Sequence, residues 1–405
     1  MGLVPDYDYL VVGGGMAADA AVRAIREIDA CGSVGVLSAD DTPPYDRPPL
    51  SKGLWSGGRL EEVFHHADYG PLRVDLHLTT EVSQVLPSEH AVVTADGTRW
   101  RYGRLLLATG CAPRALPNSV PGREHVRLYR GLTDYLRLRQ AVLVDGAPRV
   151  VLIGGGFITA ELAAALCANT GARVTMLFPE RALWAGRLPA DLADFVTAYY
   201  EKRGVEIVVG ETVRAVSRRE DGSLDVEGAS GRSWHADVAL AGIGVTPRTA
   251  LAAAAGLAVA DGIVVDETCR TAAEDVFACG DVANFPFTLG GRTRVEHEDH
   301  AHRHGHLAGR NMTGLREPYD HIPMFYSDLF DLGFEAIGRL DAACETYADW
   351  FEPYRQGVVY YLDQSRHVVG VLLWNVWERP DAAREMLRAG RAWTDPSDLA
   401  GRIRA

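Results

Sequence analysis

Two stretches of the chain share one pattern, in which short apolar runs flank a longer alanine-rich segment. The apolar runs are YLVV (9–12) and VGVL (34–37) in the first stretch, and VVLI (150–153) and VTMLF (174–178) in the second. Uninterrupted apolar runs are typical of parallel strands that are buried on both faces, and the alanine-rich segments between them favour helices. The pattern therefore predicts two strand–helix–strand units of about 30 residues each.

Each predicted unit has small residues at the turn from its first strand into its helix. Between a strand and a helix, the first glycine permits a tight turn and the second lets a pyrophosphate approach the backbone. A third small residue lets the helix pack closely on the strand, and the helix N-terminus faces the phosphates. Threonine in the third place predicts slightly looser packing in the second unit. The three positions are Gly13, Gly15 and Ala18 in the first unit and Gly154, Gly156 and Thr159 in the second.

Two further apolar runs end in residues that suit a flavin. LLLATG (105–110) ends in Thr109 and Gly110, and VFACGDVAN (276–284) contains Asp281. An acid that follows a strand can accept hydrogen bonds from sugar-alcohol hydroxyls, such as those of the flavin ribityl chain. We therefore expect FAD at the first unit and a nicotinamide dinucleotide at the second.

The length of 405 residues is too great for one ordinary core and predicts several domains. We predict a discontinuous FAD-binding domain at 1–116 and 245–312, with an NAD(P)H-binding domain inserted at 117–244. Residues 313–405 are predicted to form a C-terminal α+β domain. There the strand-like stretches EAIGRL, GVVYYLD and HVVGVLLWNV precede a short helix, PDAAREMLRAG, that ends at Gly390.

Composition limits the classes of partner. A formal net charge of −13 disfavours nucleic acid and anionic lipid as general partners. No apolar run approaches the roughly 20 residues that span a bilayer, and the N-terminus MGLVPDYDYLVVGGG lacks the basic region of an export signal. The six cysteines are scattered without C-x-x-C spacing and are expected to be reduced thiols. We expect a cytoplasmic protein with no nucleic-acid or membrane partner.

A histidine-rich run, VEHEDHAHRHGHLAGRN (295–311), resembles a metal site at first sight. On a helix, however, His300 and His304 would share one face, and His302 and His306 would share nearly the opposite face. The two pairs cannot close on one ion, and either pair alone gives fewer than the three or four ligands that zinc needs. The sequence therefore predicts no metal in this run, most of which is expected to be the polar side of a helix.

Several stretches, in order along nearly the whole chain, resemble a flavoprotein family with the glutathione reductase fold. Within it, the sequence is similar to the branch of oxygenase-coupled ferredoxin reductases and apoptosis-inducing factor, and it leans toward the latter. The resemblance implies an α/β fold with two Rossmann-like dinucleotide-binding domains and an α+β C-terminal domain. The stretches are PPYDRPPLSKGLW (43–55), LLLATGCAPR (105–114), GGGFITAEL (154–162), FACGDVAN (277–284), VEHEDHA (295–301), MFYSDL (324–329) and VVGVLLWNV (368–376).

The resemblance implies roles for residues around the flavin. Arg47 and Lys52 would lie over the ring, with Lys52 near its reactive N5 edge, and Val82 would contact the adenine. Asp40 would reach the adenosine ribose, since Ala39 stands where the family usually has an acid. The FAD-binding set is Gly13, Gly15, Ala18, Asp40, Arg47, Lys52, Val82, Thr109, Gly110, Arg114, Asp281, Glu296, His297 and Tyr326, the last in place of the family's usual tryptophan.

On the nicotinamide side, Glu161 would face Lys52, and Phe157 would stack or gate where the nicotinamide docks. His297 would stack near the nicotinamide, and Glu296 would contact either ring system. By this resemblance the catalytic residues are Lys52, Glu161 and His297. The NAD-binding set is Gly154, Gly156, Phe157, Ile158, Thr159, Glu161, Glu180 and Gly244.

The choice between NADH and NADPH depends on the end of the second strand of the second unit, LFPER (177–181). Glu180 could bond both ribose hydroxyls and would repel the extra phosphate of NADPH, which favours NADH. Arg181 stands beside it and could do the reverse. We expect NADH to be preferred.

The implied reaction moves a hydride from C4 of the nicotinamide to N5 of FAD, and then electrons to an external acceptor, most simply a ferredoxin. Because ferredoxins are typically acidic, docking would need a local basic patch, for which Arg214, Arg218 and Arg219 are one source. A quinone, or dioxygen at a low rate, is the second acceptor. The alternative is a redox protein like apoptosis-inducing factor, with a long-lived flavin–nicotinamide charge-transfer complex and a redox-dependent homodimer.

A third possibility is a flavoprotein that has lost its nicotinamide site. Thr159 and Arg248, which replaces asparagine in the family's GxxPN pattern, are the only indications of it.

Overall fold

The computed structural model describes residues 6–65, 69–143 and 146–404. Residues 1–5, which begin the segment considered for an export signal, lie outside this range. The chain divides into two compact units. Unit 1 comprises Met1–Asp46, Leu60–Ala112 and Thr246–Pro323, and unit 2 comprises Arg47–Arg59, Pro113–Val245 and Met324–Ala405.

The α-helices of the described residues are labelled in chain order. They are α1 (Met16–Ile28), α2 (Leu132–Val142), α3 (Phe157–Asn169), α4 (Ala190–Lys202), α5 (Ala250–Ala254), α6 (Glu298–Met312) and α7 (Pro380–Ala389). Short 3₁₀ helices are Pro48–Ser51, Leu60–Val63, Pro87–Glu89, Arg123–His125, Gly280–Val282 and Pro396–Leu399. Two short strands, Cys111–Pro113 and Val245–Pro247, lie where the chain passes from one unit to the other.

Unit 1 is built on a mixed sheet whose central strands are parallel. Asp6–Val12 pairs in parallel with Val34–Leu37 on one side and with Arg99–Leu107 on the other. Leu10, Val11, Leu105 and Leu106 in these strands are fully buried, as their uninterrupted apolar runs predict. The strand order is Val74–His77, Val34–Leu37, Asp6–Val12, Arg99–Leu107, Ala91–Thr94 and Val82–Leu86, with Val276–Ala278 also paired to Arg99–Leu107. A smaller sheet has the order Val259–Ala260, Gly262–Val264, Ala283–Pro286 and Arg292–Thr293.

Unit 2 contains a parallel sheet and two antiparallel sheets. The parallel sheet has the order Glu206–Val209, Arg173–Phe178, Arg149–Ile153, Val238–Ala241 and Arg127–Leu128. A three-stranded antiparallel sheet is formed by Val213–Arg218, Leu224–Gly228 and Ser233–Ala236. The five-stranded antiparallel sheet has the order Met324–Leu329, Leu332–Gly338, Val368–Trp374, Gln356–Leu362 and Glu345–Glu352.

The structure contains the elements predicted for the C-terminal part of the chain. The three strand-like stretches lie in the five-stranded sheet, and α7 ends at Ala389, directly before its C-cap Gly390, which has φ +53°. The division into three domains stays a prediction, since the compact units group the chain differently. No helix in the described ranges is long and apolar enough to cross a membrane.

Helices α1 and α6 of unit 1 pack at very close range, because α6 presents glycine to the backbone of α1. A Cβ atom at Gly305 would lie 2.2 Å from the carbonyl oxygen of Ala17, and one at Gly309 would lie 2.2 Å from that of Ala21. The contact matters for function because α1 begins directly after the first glycine-rich turn. Its position therefore depends on the small residues of α6.

We expect the substitution Gly305→Ala to destabilise the protein, although alanine is the better helix former. Helix propensity alone predicts a gain of about 1 kcal/mol. The clash with a backbone oxygen, which cannot rotate away, costs about 1–3 kcal/mol, so the net result is a loss of up to about 2 kcal/mol. Urea unfolding of the two proteins measures the difference. A Gly305→Ala variant more stable than wild type would show that α1 and α6 are not packed in this way.

The histidine run departs from its prediction in one respect. His302 and His306 lie at the surface, as expected for the polar side of a helix, but His300 and His304 are fully buried. The periodicity separated the two faces correctly, yet the run alone could not show that one face packs on aromatic residues. His300 stacks on Phe285, and Tyr319 lies 4.6 Å from His304 between ring centroids.

The run VFACGDVAN is predicted to contain a strand that ends in Gly280–Asp281, and the strand ends close to that place. It ends at Ala278, a 3₁₀ turn follows at Gly280–Val282, and a new strand begins at Ala283. Gly280 causes the break, because its φ of +70° is incompatible with a continuous strand.

Candidate functional site

The first glycine-rich turn lies in unit 1, between the strand Asp6–Val12 and α1. Gly13 has φ +120°, and a Cβ there would lie 2.3 Å from the carbonyl oxygen of Ala108. Gly15 is the N-cap of α1, where no side chain bonds the free backbone N–H groups of the first turn. A glycine-lined turn that opens on free helix N–H groups fits a pyrophosphate well. Ala18 is buried within α1, as its packing role requires.

The residues expected at the adenosine end, Asp40 and Val82, both lie in unit 1, after and within two different strands of its main sheet. Asp40 is exposed after the strand Val34–Leu37, and its backbone N–H donates to Ser38 Oγ at 3.2 Å. Val82 is buried, 7% exposed, at the start of its own strand and belongs to the same apolar cluster as Leu37. Their contacts with ribose and adenine stay predictions.

Backbone hydrogen bonds fix the end of the strand Arg99–Leu107. Thr109 Oγ1 donates to the carbonyl of Arg248 at 2.9 Å, and the Arg248 N–H donates to the carbonyl of Gly110 at 2.9 Å. Because Arg248 uses only its backbone here, replacing the family's asparagine leaves these two bonds in place. This weakens one of the two indications of a lost nicotinamide site.

The segment around Asp281 is supported by two residues that sequence reasoning did not select. The Gly280 N–H donates to His304 Nδ1 at 3.2 Å, and Arg294 donates to the Asp281 carbonyl at 3.2 Å. Burial lowers the pKa of His304 well below its ordinary value, and the neighbouring His300 adds to the effect. Burial likewise lowers the pKa of His300 to about 3. Both rings are neutral, so His304 can accept the Gly280 N–H.

Glu296 and His297 stand at the start of α6. His297 is the N-cap residue, and its carbonyl accepts the N–H of Ala301 at 2.9 Å without a side-chain cap at this end. The Glu296 carboxylate is exposed and pairs with Arg294 at 2.5 Å. An open helix N-terminus favours negative charge nearby. The roles of Glu296 and His297 toward flavin and nicotinamide stay predictions.

The second glycine-rich turn lies in unit 2 and repeats the geometry of the first. Gly154 has φ +111°, and a Cβ there would lie 2.6 Å from the carbonyl oxygen of Gly242. Gly156 caps α3 without any side-chain cap. Thr159 is fully buried, and a Cβ at Gly242 would lie 2.4 Å from its methyl group. The glycine at 242 thus provides the room that threonine takes, so the expected looser packing is wrong.

Phe157 and Ile158 open α3 and face different surroundings. The Phe157 ring packs 5.1 Å from Trp184 and 5.4 Å from Phe325, between ring centroids. The guanidinium of Arg187 lies 5.4 Å from its ring centroid. Ile158 is 42% exposed, and single exposed apolar side chains of this kind are common at protein surfaces, so its contact with a nucleotide stays a prediction.

A buried ion pair joins Lys52 to Glu161 in unit 2. Lys52 Nζ lies 2.7 Å from Glu161 Oε1, and their side chains are 14% and 3% exposed. Ser51 Oγ donates to Glu161 Oε2 at 2.6 Å, and Ser327 Oγ donates to Oε1 at 2.7 Å. The ammonium group also lies 4.9 Å from the centroid of the Tyr326 ring. The carboxylate is therefore fully engaged and holds the ammonium in one place.

Sequence reasoning selected Lys52, Glu161 and Tyr326 but missed the two serines. Ser51 directly precedes Lys52, and Ser327 directly follows Tyr326, so both stand inside the quoted motifs. Their adjacency was the only signal. Only the fold shows that both hydroxyls point at one carboxylate.

The remaining predicted residues of unit 2 lie near chain turns. Arg114 donates from its backbone N–H to the Gly244 carbonyl and from Nε to the Val245 carbonyl, each at 2.9 Å. Gly244 has φ +98°. Arg47 precedes the 3₁₀ helix Pro48–Ser51, and its carbonyl accepts the N–H of Leu50 at 3.0 Å. Their contacts with cofactors stay predictions.

Glu180 and Arg181 follow the strand Arg173–Phe178, and both are exposed. Arg181 Nη1 donates to Asp194 Oδ1 at 2.6 Å. Asp194 thus engages Arg181, the cation that the sequence offers as a contact for an additional phosphate. The Glu180 backbone carbonyl accepts the N–H of Gly210 at 3.2 Å.

A model of the family described as pyridine nucleotide-disulphide oxidoreductase matches residues 7–305, which is more than half of the chain. The chain belongs to this family. It is therefore an oxidoreductase that uses a flavin and a nicotinamide nucleotide, and the predicted glutathione reductase-type α/β fold is confirmed.

Relatives of this pyridine nucleotide-disulphide oxidoreductase include members of both branches that the sequence resembles, apoptosis-inducing factor and the oxygenase-coupled ferredoxin reductases. A model of the C-terminal part of apoptosis-inducing factor matches residues 308–353 and 348–389. The chain is 30% identical to apoptosis-inducing factor 1, mitochondrial, of Dictyostelium discoideum, over 98% of this chain and 81% of that protein. It is 33% identical to the ferredoxin–NAD(+) reductase component of the anthranilate 1,2-dioxygenase system of Burkholderia cepacia, over 97% and 96% of the two chains.

Among solved structures, it is similar to the covalent putidaredoxin reductase–putidaredoxin complex. The TM-score is 0.87 at 27% identity, and the match covers 95% of this chain and 93% of the other.

Proposed function

We propose that this oxidoreductase takes electrons from NADH and delivers them to a small electron-transfer protein of the ferredoxin class. The observation that carries the proposal is the pair of uncapped, glycine-lined helix N-termini, at α1 and α3, together with the buried Lys52–Glu161 pair. Bound FAD would supply the chemistry between the two substrates, since it accepts two electrons as a hydride and can release them singly.

The protein's own residues bind and position the two nucleotides. The turn at Gly13 and the N-terminus of α1 would hold the FAD pyrophosphate, and the turn at Gly154 and α3 that of NADH. The Lys52 ammonium would provide fixed positive charge beside the site that receives the hydride. Glu161 and its two serine donors position this ammonium rather than react themselves.

The cysteines support delivery to an external acceptor. All six are in the described residues, and all six are free. Burial raises the pKa of Cys269 well above its ordinary value and also raises that of Cys279. A buried, protonated thiol is a poor redox group. Electrons would therefore leave for a partner rather than pass through an internal dithiol.

A ferredoxin is the acceptor that the relatives favour, because two of the proteins named above act with or bind an electron-transfer partner by name. The basic patch that the sequence offered for docking is weaker than expected. Arg214 pairs with Glu227, and Arg219 pairs with Asp225 at 2.7 Å, so two of its three charges are locally balanced. We infer that docking uses another surface. A cytoplasmic location and a homodimer also stay part of this proposal.

The second candidate is a slow, NADH-responsive redox protein with a quinone or dioxygen as acceptor. The match of the C-terminal part to apoptosis-inducing factor is the observation that favours it. Turnover separates the two functions. With NADH and a [2Fe–2S] ferredoxin in excess, the proposed reductase should turn over at about 1 s⁻¹ or faster. Turnover no faster than with dioxygen alone, with a lasting long-wavelength absorbance and a changed molecular size, would favour the second candidate.

We expect NADH to be preferred, and Glu180 to be responsible. Glu180→Ala should lower kcat/KM for NADH roughly 10–150-fold, because charged hydrogen bonds to the ribose are worth about 1.5–3 kcal/mol. The value for NADPH should rise or stay constant. Steady-state kinetics with both nucleotides measure this, and Glu201→Ala, at an exposed position in α4, is the control. An equal effect of Glu180→Ala on both nucleotides would contradict the assignment.

A further inference from the structure

We propose that Asp46, His65 and His302 of unit 1 form a binding site for a zinc-class divalent metal ion. The three side chains offer ligand atoms that all lie within 4.8 Å of one another. They come from three separate parts of the chain, of which only His302 belongs to the histidine run. The proposal is independent of the proposed function, since none of these residues was selected for either nucleotide.

The positions of the donor atoms are close to those of a metal site. His65 Nε2 lies 2.5 Å from Asp46 Oδ1, and His302 Nε2 lies 3.9 Å from the same oxygen. The two imidazole rings are 5.6 Å apart and nearly parallel, at 26°. Zinc bonds of about 2.0–2.2 Å separate tetrahedral ligand atoms by roughly 3.3–3.6 Å. To reach this arrangement, the short contact between His65 and Asp46 must open and one of the two stacked rings must turn, which the half-exposed side chains of Asp46 and His302 leave room for.

A second, independent feature is a carboxylate, that of Asp19, which contacts the other ring nitrogen of His65. Its Nδ1 atom lies 2.9 Å from Asp19 Oδ2, which directs Nε2 toward the other two donors. Asp19 is almost fully buried and also accepts from Arg23 Nε at 2.8 Å and from the Tyr69 hydroxyl at 2.9 Å. A carboxylate that orients a histidine in this way is the usual outer partner of a metal-bound imidazole.

The composition of the donor set selects the metal. Two imidazole nitrogens and one carboxylate suit Zn²⁺ and similar transition metals, whereas Mg²⁺ and Ca²⁺ prefer oxygen donors alone. Three protein ligands leave a fourth position for water. Glu298 Oε1 lies 4.0 Å from His302 Nε2 but is not among the three groups whose ligand atoms are mutually close.

The same residues have a simpler role in the absence of metal. Burial lowers the pKa of His65, but hydrogen bonds to Asp19 and Asp46 outweigh it and raise the pKa to about 9. The metal-free cluster is then a protonated histidine between two carboxylates. Zinc would have to displace that proton from His65. A metal site binds zinc and an ion-paired histidine does not, so titration with zinc distinguishes the two.

The test uses the untagged, FAD-containing protein after treatment with a chelator, titrated with ZnCl₂ by calorimetry. Wild type should bind one zinc ion per chain, and His302→Ala should lose this site. Asp19→Asn should weaken binding by roughly 10–100-fold, as expected for an outer partner. His306→Ala is the matched control, because His306 is half-exposed on the same helix, as His302 is, but pairs with Glu27 instead.

His302 is a surface residue, so its removal is not expected to affect folding, and flavin absorbance of each variant verifies this. Zinc should also raise the thermal midpoint of wild type and His306→Ala, but not that of His302→Ala. Wild type that binds no zinc, or His302→Ala that binds it as wild type does, would overturn the proposal. In either case the cluster is an ion-paired histidine only.

Discussion

Lys52→Met is expected to cost about 3 kcal/mol of unfolding free energy and to slow reduction of the bound flavin by NADH about 100-fold. The stability loss follows from the burial of Glu161, whose side chain is 3% exposed. Without the ammonium, a carboxylate remains in the interior with only two serine hydroxyls as donors. The rate loss follows from removing the positive charge that we assign beside the hydride acceptor. Urea unfolding and stopped-flow mixing with NADH measure the two effects.

A double variant separates stability from chemistry. Lys52→Met combined with Glu161→Gln removes both charges, so most of the lost stability should return while the reduction rate stays low. Lys202→Met, in the last turn of α4, is the control for loss of an exposed lysine and should cost less than about 1 kcal/mol. Lys52→Met with wild-type stability and wild-type rate would mean that the pair is neither buried nor part of the reaction.

The second large effect concerns the two glycine-rich turns, which should fail in different ways. Gly13→Ala is expected to give protein that is largely colourless, with FAD affinity reduced about 100-fold. Gly154→Ala should keep its yellow flavin but respond to NADH only at about tenfold or higher concentration. Both glycines have φ above +100°, which a residue with a side chain rarely adopts. In addition, the new Cβ atom would lie 2.3 Å from a backbone carbonyl oxygen at Gly13 and 2.6 Å from one at Gly154. Such strain costs roughly 1–3 kcal/mol, and each 1.4 kcal/mol is a factor of ten in affinity.

The two variants are controls for each other. Flavin content is read from absorbance of the purified proteins, and NADH affinity from the concentration dependence of flavin reduction. If Gly154→Ala lost FAD and Gly13→Ala kept it, the assignment of the two nucleotides would be reversed. If both lost FAD, the second turn would not be a separate nicotinamide site.

Local patterns were sufficient to predict the two turns and the strands beside them. Apolar runs such as YLVV and VVLI lie in central parallel strands, and Gly13 and Gly154 have the positive φ angles that their turns require. These features are visible in sequence because they depend on neighbours within a few residues. The partnership of Lys52 with Glu161 was also expected, but from family resemblance rather than from spacing.

Contacts between distant parts of the chain could not be predicted from pattern. The serines at 51 and 327 converge on one carboxylate only because the fold brings their segments together. Thr159 alone predicts looser packing of α3, but Gly242 lies opposite it in the fold and leaves room for its methyl group. The histidines from His300 to His306 are expected to be mostly structural or exposed, and only the fold shows that His304 is buried and holds the Gly280 turn. Each outcome depends on what lies across the fold, which a single sequence does not contain.

The most direct test of the account is an anaerobic titration of the purified yellow protein with NADH. The account predicts that flavin absorbance bleaches with one equivalent of NADH, and that NADPH bleaches it more slowly. Gly154→Ala should bleach only at higher NADH concentration. Flavin that stays yellow in excess NADH under nitrogen would contradict the central claim that this oxidoreductase passes electrons from NADH to FAD.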